Sequence, residues 1–414
     1  MNIMAGADMQ DTTFVRDKRA SLLLLLAAQV LAMSVWFSSA AAIADIKLTY
    51  QISPVAEALL TSAVQIGFVI GTIVSALLGL ADRYDPRRLF ALSAGIAAVA
   101  TGTLVVLEPT GGVVIALRIL TGVCMAGVYP VGMRLAATWA KGDIGLLIGL
   151  LVGALTLGSA SPHLLAAFGG LGWQSIYGAA TVAAIAASVL ICFVRVGPNM
   201  KRAARIEFSR FSESWRRPAV RKANLGYLGH MWELYAMWAW LSLFLHQSFA
   251  ARGMEDGNIK AATLTFAAIA SGAIGSWLGG VLADRYGRTT VTMTAMAISG
   301  LCAATAGWLF EAPLLMLVPV IIVWGITVIA DSAQFSASVA ELAEPEAVGT
   351  LLTVQTCAGF LLTLGSIQMV PLVLPHLGWT GAFSILAVGP FLGCIAMWRL
   401  RRDPESRRLA GGRR

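Results

Sequence analysis

Leu80-Ala81-Asp82-Arg83-Tyr84 and Leu282-Ala283-Asp284-Arg285-Tyr286 are one pentapeptide written twice in a single chain, 202 residues apart. A second match lies upstream at nearly the same spacing. Ala32-Met33-Ser34-Val35-Trp36-Phe37-Ser38 aligns with Ala236-Met237-Trp238-Ala239-Trp240-Leu241-Ser242, 204 residues apart. Two matches at almost one offset are hard to produce by chance, and self-similarity of this kind decides architecture before any single residue does. The 414-residue chain is therefore expected to fold as two copies of one unit.

That unit is not a soluble one. The chain is 57% hydrophobic and 13% charged, where a soluble domain carries about 25% charged residues. Its mean hydropathy is +0.76. The apolar residues run in blocks rather than in stripes: 20–43, 54–81, 89–107, 112–138, 144–168, 174–195, 223–249, 259–283, 289–308, 314–340, 348–374 and 380–399. Each is long enough to cross about 30 Å of hydrocarbon as a helix. The expectation is an all-α integral membrane protein of twelve transmembrane helices. Residues 20–195 form an N-terminal six-helix bundle and 223–399 a C-terminal one, related by a pseudo-twofold axis along the membrane normal. Residues 1–19 form a short N-terminal segment, 196–222 a basic linker and 400–414 a basic tail.

The net charge of +8 does not point to nucleic acid, because its distribution is topogenic. With both termini inside, every one of the 30 Lys and Arg falls on the inner side except Lys47, Arg252 and Lys260 outside and Arg118 within a span. This is the positive-inside pattern, and such loops also touch anionic lipid. No cleavable signal precedes the first block, which is too long for a signal h-region. The five cysteines all fall in apolar blocks without metal-ligand spacing and read as small buried hydrophobes. No metal or cofactor is called for.

On these residues the chain resembles the major facilitator superfamily over about 20–400. The most specific element is Gly280-x-x-x-Asp284-Arg285-x-Gly287-Arg288, which fits the family's hallmark loop between the eighth and ninth helices. The first-half copy departs from it: Leu78 stands where the first glycine is expected, and Asp85-Pro86 interrupts before Arg87-Arg88. Arg118-x-x-x-Gly122 resembles the family's fourth-helix motif, and Gly149, Gly153, Gly158 and Pro162 weakly resemble its antiporter motif. The resemblance implies two bundles around a central cavity lined by helices 1, 4, 7 and 10, working by alternating access. It also implies that Asp82, Arg83, Gly280, Asp284, Arg285, Gly287 and Arg288 form cytoplasmic gating loops. There the acid caps a neighbouring helix and pairs with arginines across the bundle. Gly280 and Gly287 would allow close approach and a tight turn.

Three charges lie inside apolar blocks: Arg118, Glu233 and Asp331. A charge at a bilayer centre costs roughly 2.5–3.5 kcal/mol even on the mildest scale, and usually handles an ion, a proton or a substrate. In the seventh block Gly226, His230, Glu233, Met237 and Trp240 share one helical stripe, with Tyr227 beside it. The 204-residue offset maps this stripe onto Gln29, Met33 and Trp36, so the acid is present in one half only. His230, one turn below Glu233, is expected to share its proton or stabilise its charge. In the tenth block Trp324, Thr327, Asp331, Gln334 and Ser338 form a polar stripe that places Asp331 close to the depth of Glu233. In the fourth, Arg118 stands above Tyr129 and is expected either to hold an anion or acid or to snorkel outward. The competing reading of Glu233 is a protonated donor clamping helices together. His163, His246 and His376 read as interface residues. Glu57 and the 341–346 segment read as water-exposed, and the tail after 400 as disordered.

The leading expectation is a secondary active transporter in a bacterial inner membrane, a monomer that imports a small organic solute by proton symport. The solute would carry a carboxylate and an apolar or aromatic body. The overall look is similar to carriers of small anions such as cyanate and nitrate. No arginine lies deep in the second or eighth block, however, where nitrate carriers bind, and this disfavours nitrate. No phosphate-cradling loop is present to use ATP. Two alternatives stay open: a proton-coupled antiporter exporting hydrophobic compounds, and a membrane receptor on a transporter fold. Four scattered histidines form no catalytic cluster, so an enzyme is not expected.

Overall fold

The computed structural model describes residues 2–141, 143–168, 172–200 and 210–414. Residues 201–209 of the expected linker and the side chain of Asp82 lie outside the described residues. Among those described, every element is a helix. The first half contains α1 (Asn2–Met33), α2 (Ser38–Thr49), α3 (Pro54–Leu78), α4 (Leu80–Arg83), α5 (Pro86–Thr103), α6 (Gly112–Met125), α7 (Tyr129–Ala137), α8 (Ile144–Ala167) and α9 (Gly172–Leu190). The second contains α10 (Glu213–Arg216), α11 (Pro218–Ala251), α12 (Gly257–Tyr286), α13 (Arg288–Ala306), α14 (Leu314–Ala330), α15 (Ser332–Leu342), α16 (Val348–Leu386) and α17 (Val388–Arg401).

Nine stretches among the described residues are long and apolar enough to cross a membrane, so the chain is a multi-pass membrane protein. The last of them, Val348–Arg401, spans α16 and α17. Within α16 the backbone leaves helical geometry at Gly378, with φ 59° and ψ −169°. The helices α5 and α11 are not among the nine. In α11 the polar side chains Asn224, His230, Glu233, His246 and Gln247 dilute the hydropathy.

The duplication persists in how the helices touch. A side chain at Gly275 of α12 would put its Cβ 1.9 Å from the Ile326 carbonyl oxygen of α14. At Gly71 of α3, 204 residues earlier, a Cβ would lie 2.4 Å from the Val123 carbonyl oxygen of α6. Both halves thus bring two backbones together over glycine, as small residues permit in helix pairs that lack a hydrophobic drive to associate. The halves meet where α3 packs on α16 and α8 packs on α12. Gln368 donates to Ser62 Oγ across the first seam (3.2 Å). Two glycines of the α8 run serve packing: Gly153 faces Ala273 of α12, and Gly158 faces the Val30 carbonyl of α1, while Gly149 has open space around it.

The two hallmark-type loops differ for a local reason. In the first half Gly79 ends α3 in the left-handed region (φ 60°), and Asp85 caps α5, accepting from the Arg87 amide at 2.9 Å, with Pro86 at N1. In the second half α12 continues through Gly280 to Tyr286, and Gly287 (φ 92°) makes the turn. A left-handed turn admits glycine without strain. Asp85, at φ −58°, needs none. Gly280 has open space around it and serves no close contact.

Three surface expectations need correction. Glu57 is buried and pairs with Lys47 at 2.9 Å. Glu341 is not a solvated loop acid: it pairs with Arg288 at 2.8 Å and accepts from the Ala410 amide at 2.9 Å. The tail is ordered, because it has partners to dock on. Arg408 donates to the Leu342 and Ala343 carbonyls (2.8 and 3.2 Å), freed at the end of α15, and Arg413 donates to the Asp284 carbonyl.

Two outcomes follow from this packing. Gly275→Leu drives a side chain into a carbonyl and should lower the thermal midpoint of the detergent-solubilised protein sharply. Gly280→Ala, in the more family-like position, should leave it unchanged or slightly raised, since alanine favours a helix by up to about 1 kcal/mol. Near the N-terminus Lys18 pairs with Asp143 at 2.6 Å, and this hydrogen bond holds the Asp143 carboxyl below the usual carboxylate range. Its contribution is therefore complete above the ordinary carboxylate pKa of about 4 and is lost as pH falls through the lowered value. Asp143→Asn should cost a little thermal stability at pH 7 and none at pH 2, read as midpoints across a pH series.

Candidate functional site

The tenth apolar block does not form one helix. Its upper part, α14, ends at Ala330, its lower part, α15, starts at Ser332, and Asp331 sits in the break at φ −92° and ψ −14°. The carboxylate of Asp331 is buried against α11, with Oδ1 2.8 Å from His230 Nδ1. The contact is close but poorly angled, since Oδ1 makes no aligned hydrogen bond and the outer ring nitrogen of His230, Nε2, has no partner. Tyr227 and Phe335 pack around the imidazole, with ring centroids 6.1 and 5.5 Å away.

One turn further along α11, Glu233 is likewise buried. Its Oε1 accepts from the indole N–H of Trp324 (2.7 Å) and its Oε2 from the hydroxyl of Ser299 (2.8 Å). The acid thus ties α11 to α13 and α14 inside the second half. Sequence reasoning set His230 beside Glu233, but the structure pairs each with a different residue. They lie three apart on one face, and the antiparallel tenth block offers Trp324 to Glu233 and Asp331, two turns lower, to His230. Among the described residues neither acid touches a lysine or arginine. A lone buried carboxylate is costly to keep ionised; the donors at Glu233 are neutral, whereas Asp331 faces an imidazole.

Below the break the polar line continues. The Gln334 amide donates to the Asp331 carbonyl (2.9 Å), and Gln334 Oε1 accepts from Arg288 Nη1 (2.7 Å). Arg288 also reaches Glu341 (2.8 Å) and Asp284 (3.3 Å). The hub of this loop is therefore the arginine. Asp284 is exposed; among the described residues its carboxylate pairs only with Arg288 and caps no neighbouring helix, while its carbonyl accepts from Arg413 of the tail. Arg285 lies over the Tyr286 ring, 5.3 Å to its centroid, and Arg83 is exposed.

Arg118 stands apart from both acids. It is fully buried and donates to the carbonyls of Leu60 (3.0 Å), Val35 (2.9 Å) and Trp36 (2.7 Å) and to Ser38 Oγ (3.3 Å). These groups belong to the interruption between α1 and α2 and to the facing α3. The guanidinium does not snorkel; it satisfies carbonyls that the broken first span sets free. That break carries Trp36, whose indole nitrogen is buried without a partner. Trp36 meets Phe68 on its own side (5.1 Å) and, across the seam, Tyr235 (stacked, 6.2 Å) and Phe360 (5.7 Å). Phe37 meets Tyr235 (stacked, 5.9 Å) and Trp238 (edge-on, 5.5 Å). The passage between the halves is closed at this level by rings.

The remaining expected wall residues divide. Met33, Met237 and Gln29 are fully buried, and both amide atoms of Gln29 lack partners. Trp240 turns into its own half and donates to the Ile367 carbonyl (3.0 Å). Thr327 bonds to its own helix at Val323 (2.8 Å). Tyr129 opens α7 just after the fourth block breaks between Met125 and Tyr129. Sequence reasoning missed Ser299, Phe360 and Tyr235 as site residues, because nothing marks one serine or one ring on an apolar helix. It also placed His163 at an interface. The structure buries it completely, with neither ring nitrogen paired. Its position beside Pro162 inside α8 was the available signal.

The sequence profile of the Major Facilitator Superfamily matches residues 24–366 and 261–414. No curated protein matches the chain. Among solved structures, a mutant of the nucleoside transporter NupG superposes with a TM-score of 0.71, covering 92% of this chain and 99% of that one at 16% identity. A likeness at that identity is one of fold.

The Glu233–Trp324 bond is testable on its own. Trp324→Phe leaves a buried acceptor unmade, which costs about 1–3 kcal/mol, and Glu233→Met removes the acceptor at similar volume. A double-mutant cycle on unfolding should return a coupling of about 0.5–3 kcal/mol for residues in contact. A coupling near zero would separate the two side chains.

Proposed function

This chain belongs to the major facilitator superfamily and is a secondary transporter, and on that premise we propose that it is coupled to protons through Glu233, His230 and Asp331. The reading continues as a monomeric importer of a small organic solute in a bacterial cytoplasmic membrane, with twelve spans in a 6+6 arrangement and both termini inside. One observation carries the coupling: Glu233 on α11 and Asp331, packed against α11 one turn away, are both buried, and among the described residues the only ion-pair partner of either is a histidine. The Asp331–His230 pair can hold one proton between a carboxylate and an imidazole. Glu233 can hold another among neutral donors. A proton arriving at either site removes a buried charge, and so biases which arrangement of the surrounding helices is stable.

The solute would enter at the seam. Alternating access requires the rings of Trp36, Phe37, Tyr235 and Phe360 to part, and a planar or apolar body can replace their mutual contacts. Arg118 supports the carboxylate half of the expected solute less than its charge suggested, since backbone oxygens already engage it. Nucleosides, named for the structural neighbour, have a planar ring and are suitable first probes. The exporter of hydrophobic compounds is the second reading, favoured by the same aromatic wall. Two of the α8 glycines, Gly158 and Gly153, are accounted for by packing against α1 and α12.

Proteoliposomes with an imposed proton gradient test both readings. Under symport, an inward gradient accumulates solute, and Glu233→Gln abolishes accumulation while solute exchange persists. Asp331→Asn should also abolish accumulation. If both variants still accumulate solute against its gradient, the coupling assignment is wrong. If the inward gradient instead expels lipophilic cations from the wild type, the protein is the exporter.

A further inference from the structure

Outside the site just described, the outer face of the second half carries a groove of about 540 Å³ between α11, α16 and α17. Its floor is hollow because the helices there cross over glycine. A Cβ at Gly229 would meet the Gly389 carbonyl at 2.4 Å, and one at Gly389 the Gly229 carbonyl at 2.5 Å. Its walls are apolar, with Leu225, Leu228, Leu362 and Leu392 among them. One end differs. Arg221 and Lys222, in the first turn of α11, and Arg399, in the last turn of α17, line the groove together.

We infer that this groove is a binding site for an anionic diacyl phospholipid, with the phosphate held between Arg221 and Arg399 and an acyl chain lying over the Gly229–Gly389 crossing. The charge pattern argues for it. Arg399 is exposed with no partner among the described residues, and Arg221 bonds only the Trp215 carbonyl at 3.4 Å. Lys222 differs, as it is held by Asp403 at 2.5 Å. It frames the site without supplying a free charge. Two uncompensated guanidinium groups at one end of an otherwise apolar channel match a ligand with one anionic head and a long apolar body. Guanidinium also suits phosphate by geometry, as its N–H fork engages two oxygens. The level is right for a headgroup: Trp398, with Arg402 stacked on it at 3.7 Å, sits beside Arg399, and tryptophan favours the membrane–water boundary. A basic pocket between membrane helices is the kind of surface that anionic headgroups select. The site would also matter to transport, because the groove backs onto α11. Gly229 at its floor directly precedes His230, so an occupied groove braces the helix that carries the coupling residues.

The test uses the full chain in detergent with three probes: phosphatidylglycerol, phosphatidylcholine of the same acyl chains, and glycerol 3-phosphate. Retention is read by native mass spectrometry and by the shift in thermal midpoint. Phosphatidylglycerol should be retained and should raise the midpoint. Phosphatidylcholine should do so weakly, and glycerol 3-phosphate not at all. Each basic residue near an anionic lipid contributes about fivefold, so Arg221→Gln/Arg399→Gln should lose roughly twentyfold in phosphatidylglycerol affinity. The Arg221→Lys/Arg399→Lys protein should keep most of it. Equal retention of the two lipids by the wild type overturns the site whether or not the glutamine variant folds. So does unchanged affinity in that variant. Binding of glycerol 3-phosphate as tight as that of the lipid would make it a soluble-anion site instead, and would equally overturn the proposal.

Discussion

A helix that breaks inside hydrocarbon frees carbonyls that no water can reach, and the protein must supply their partners. Arg118 meets that demand at the first break. Its donors go to the oxygens of Val35, Trp36 and Leu60, so an arginine in an apolar block becomes affordable without any acid beside it. The aromatic seam depends on this clamp. The backbone turn at residues 34–37 presents Trp36 and Phe37 together toward Tyr235 and Trp238, and an unbroken helix would point two successive side chains about 100° apart.

The second half resolves its own break differently. Asp331 occupies the junction of α14 and α15 and answers it with a carboxylate, and the partner that comes to it is an imidazole rather than a fixed cation. The difference decides what each place can do. A guanidinium on carbonyls is locked in charge at all working pH values, since arginine is effectively always protonated. A carboxylate–imidazole pair can gain and lose a proton. Discontinuous membrane helices mark binding and coupling sites for this reason: the break brings polar atoms to a depth where a continuous helix would hide them.

Much of this was legible in the sequence, in proportion to how local its cause was. The duplicated pentapeptide, the basic loops and the length of the apolar blocks bear directly on fold. Glu233 and Asp331 declared themselves because a charge in an apolar run has few bland explanations. Partner choice was not legible. His230 and Glu233 share a helical face, yet which of them faces Asp331 depends on the offset between α11 and α14, a tertiary quantity. Glu57 and Glu341 failed the same way: an acid at a helix end reads as solvated until Lys47 or Arg288 is brought to it. The ordered tail failed too, because a basic, proline-containing sequence folds back only where freed carbonyls such as those of Leu342 and Ala343 await it.

The two halves also show how a duplicated scaffold divides labour. Gly127, in the interruption between α6 and α7, stands 204 residues before Asp331, so the same span breaks at the same place in both copies. In the first copy that position is closed by packing: a Cβ on Gly127 would lie 2.1 Å from Ser93 Oγ. In the second it holds an acid. Gln29 and Glu233 repeat the contrast at the same offset, a neutral amide against a carboxylate. An amide of that size fills the same volume without a charge to neutralise. Concentrating both acids in one bundle has a mechanical consequence. Both acids touch α11, and Tyr235 and Trp238, which stand at the seam, ride on the same helix as Glu233. The acids and the seam are thus joined along α11, a helix of 34 residues, rather than across the space between the halves.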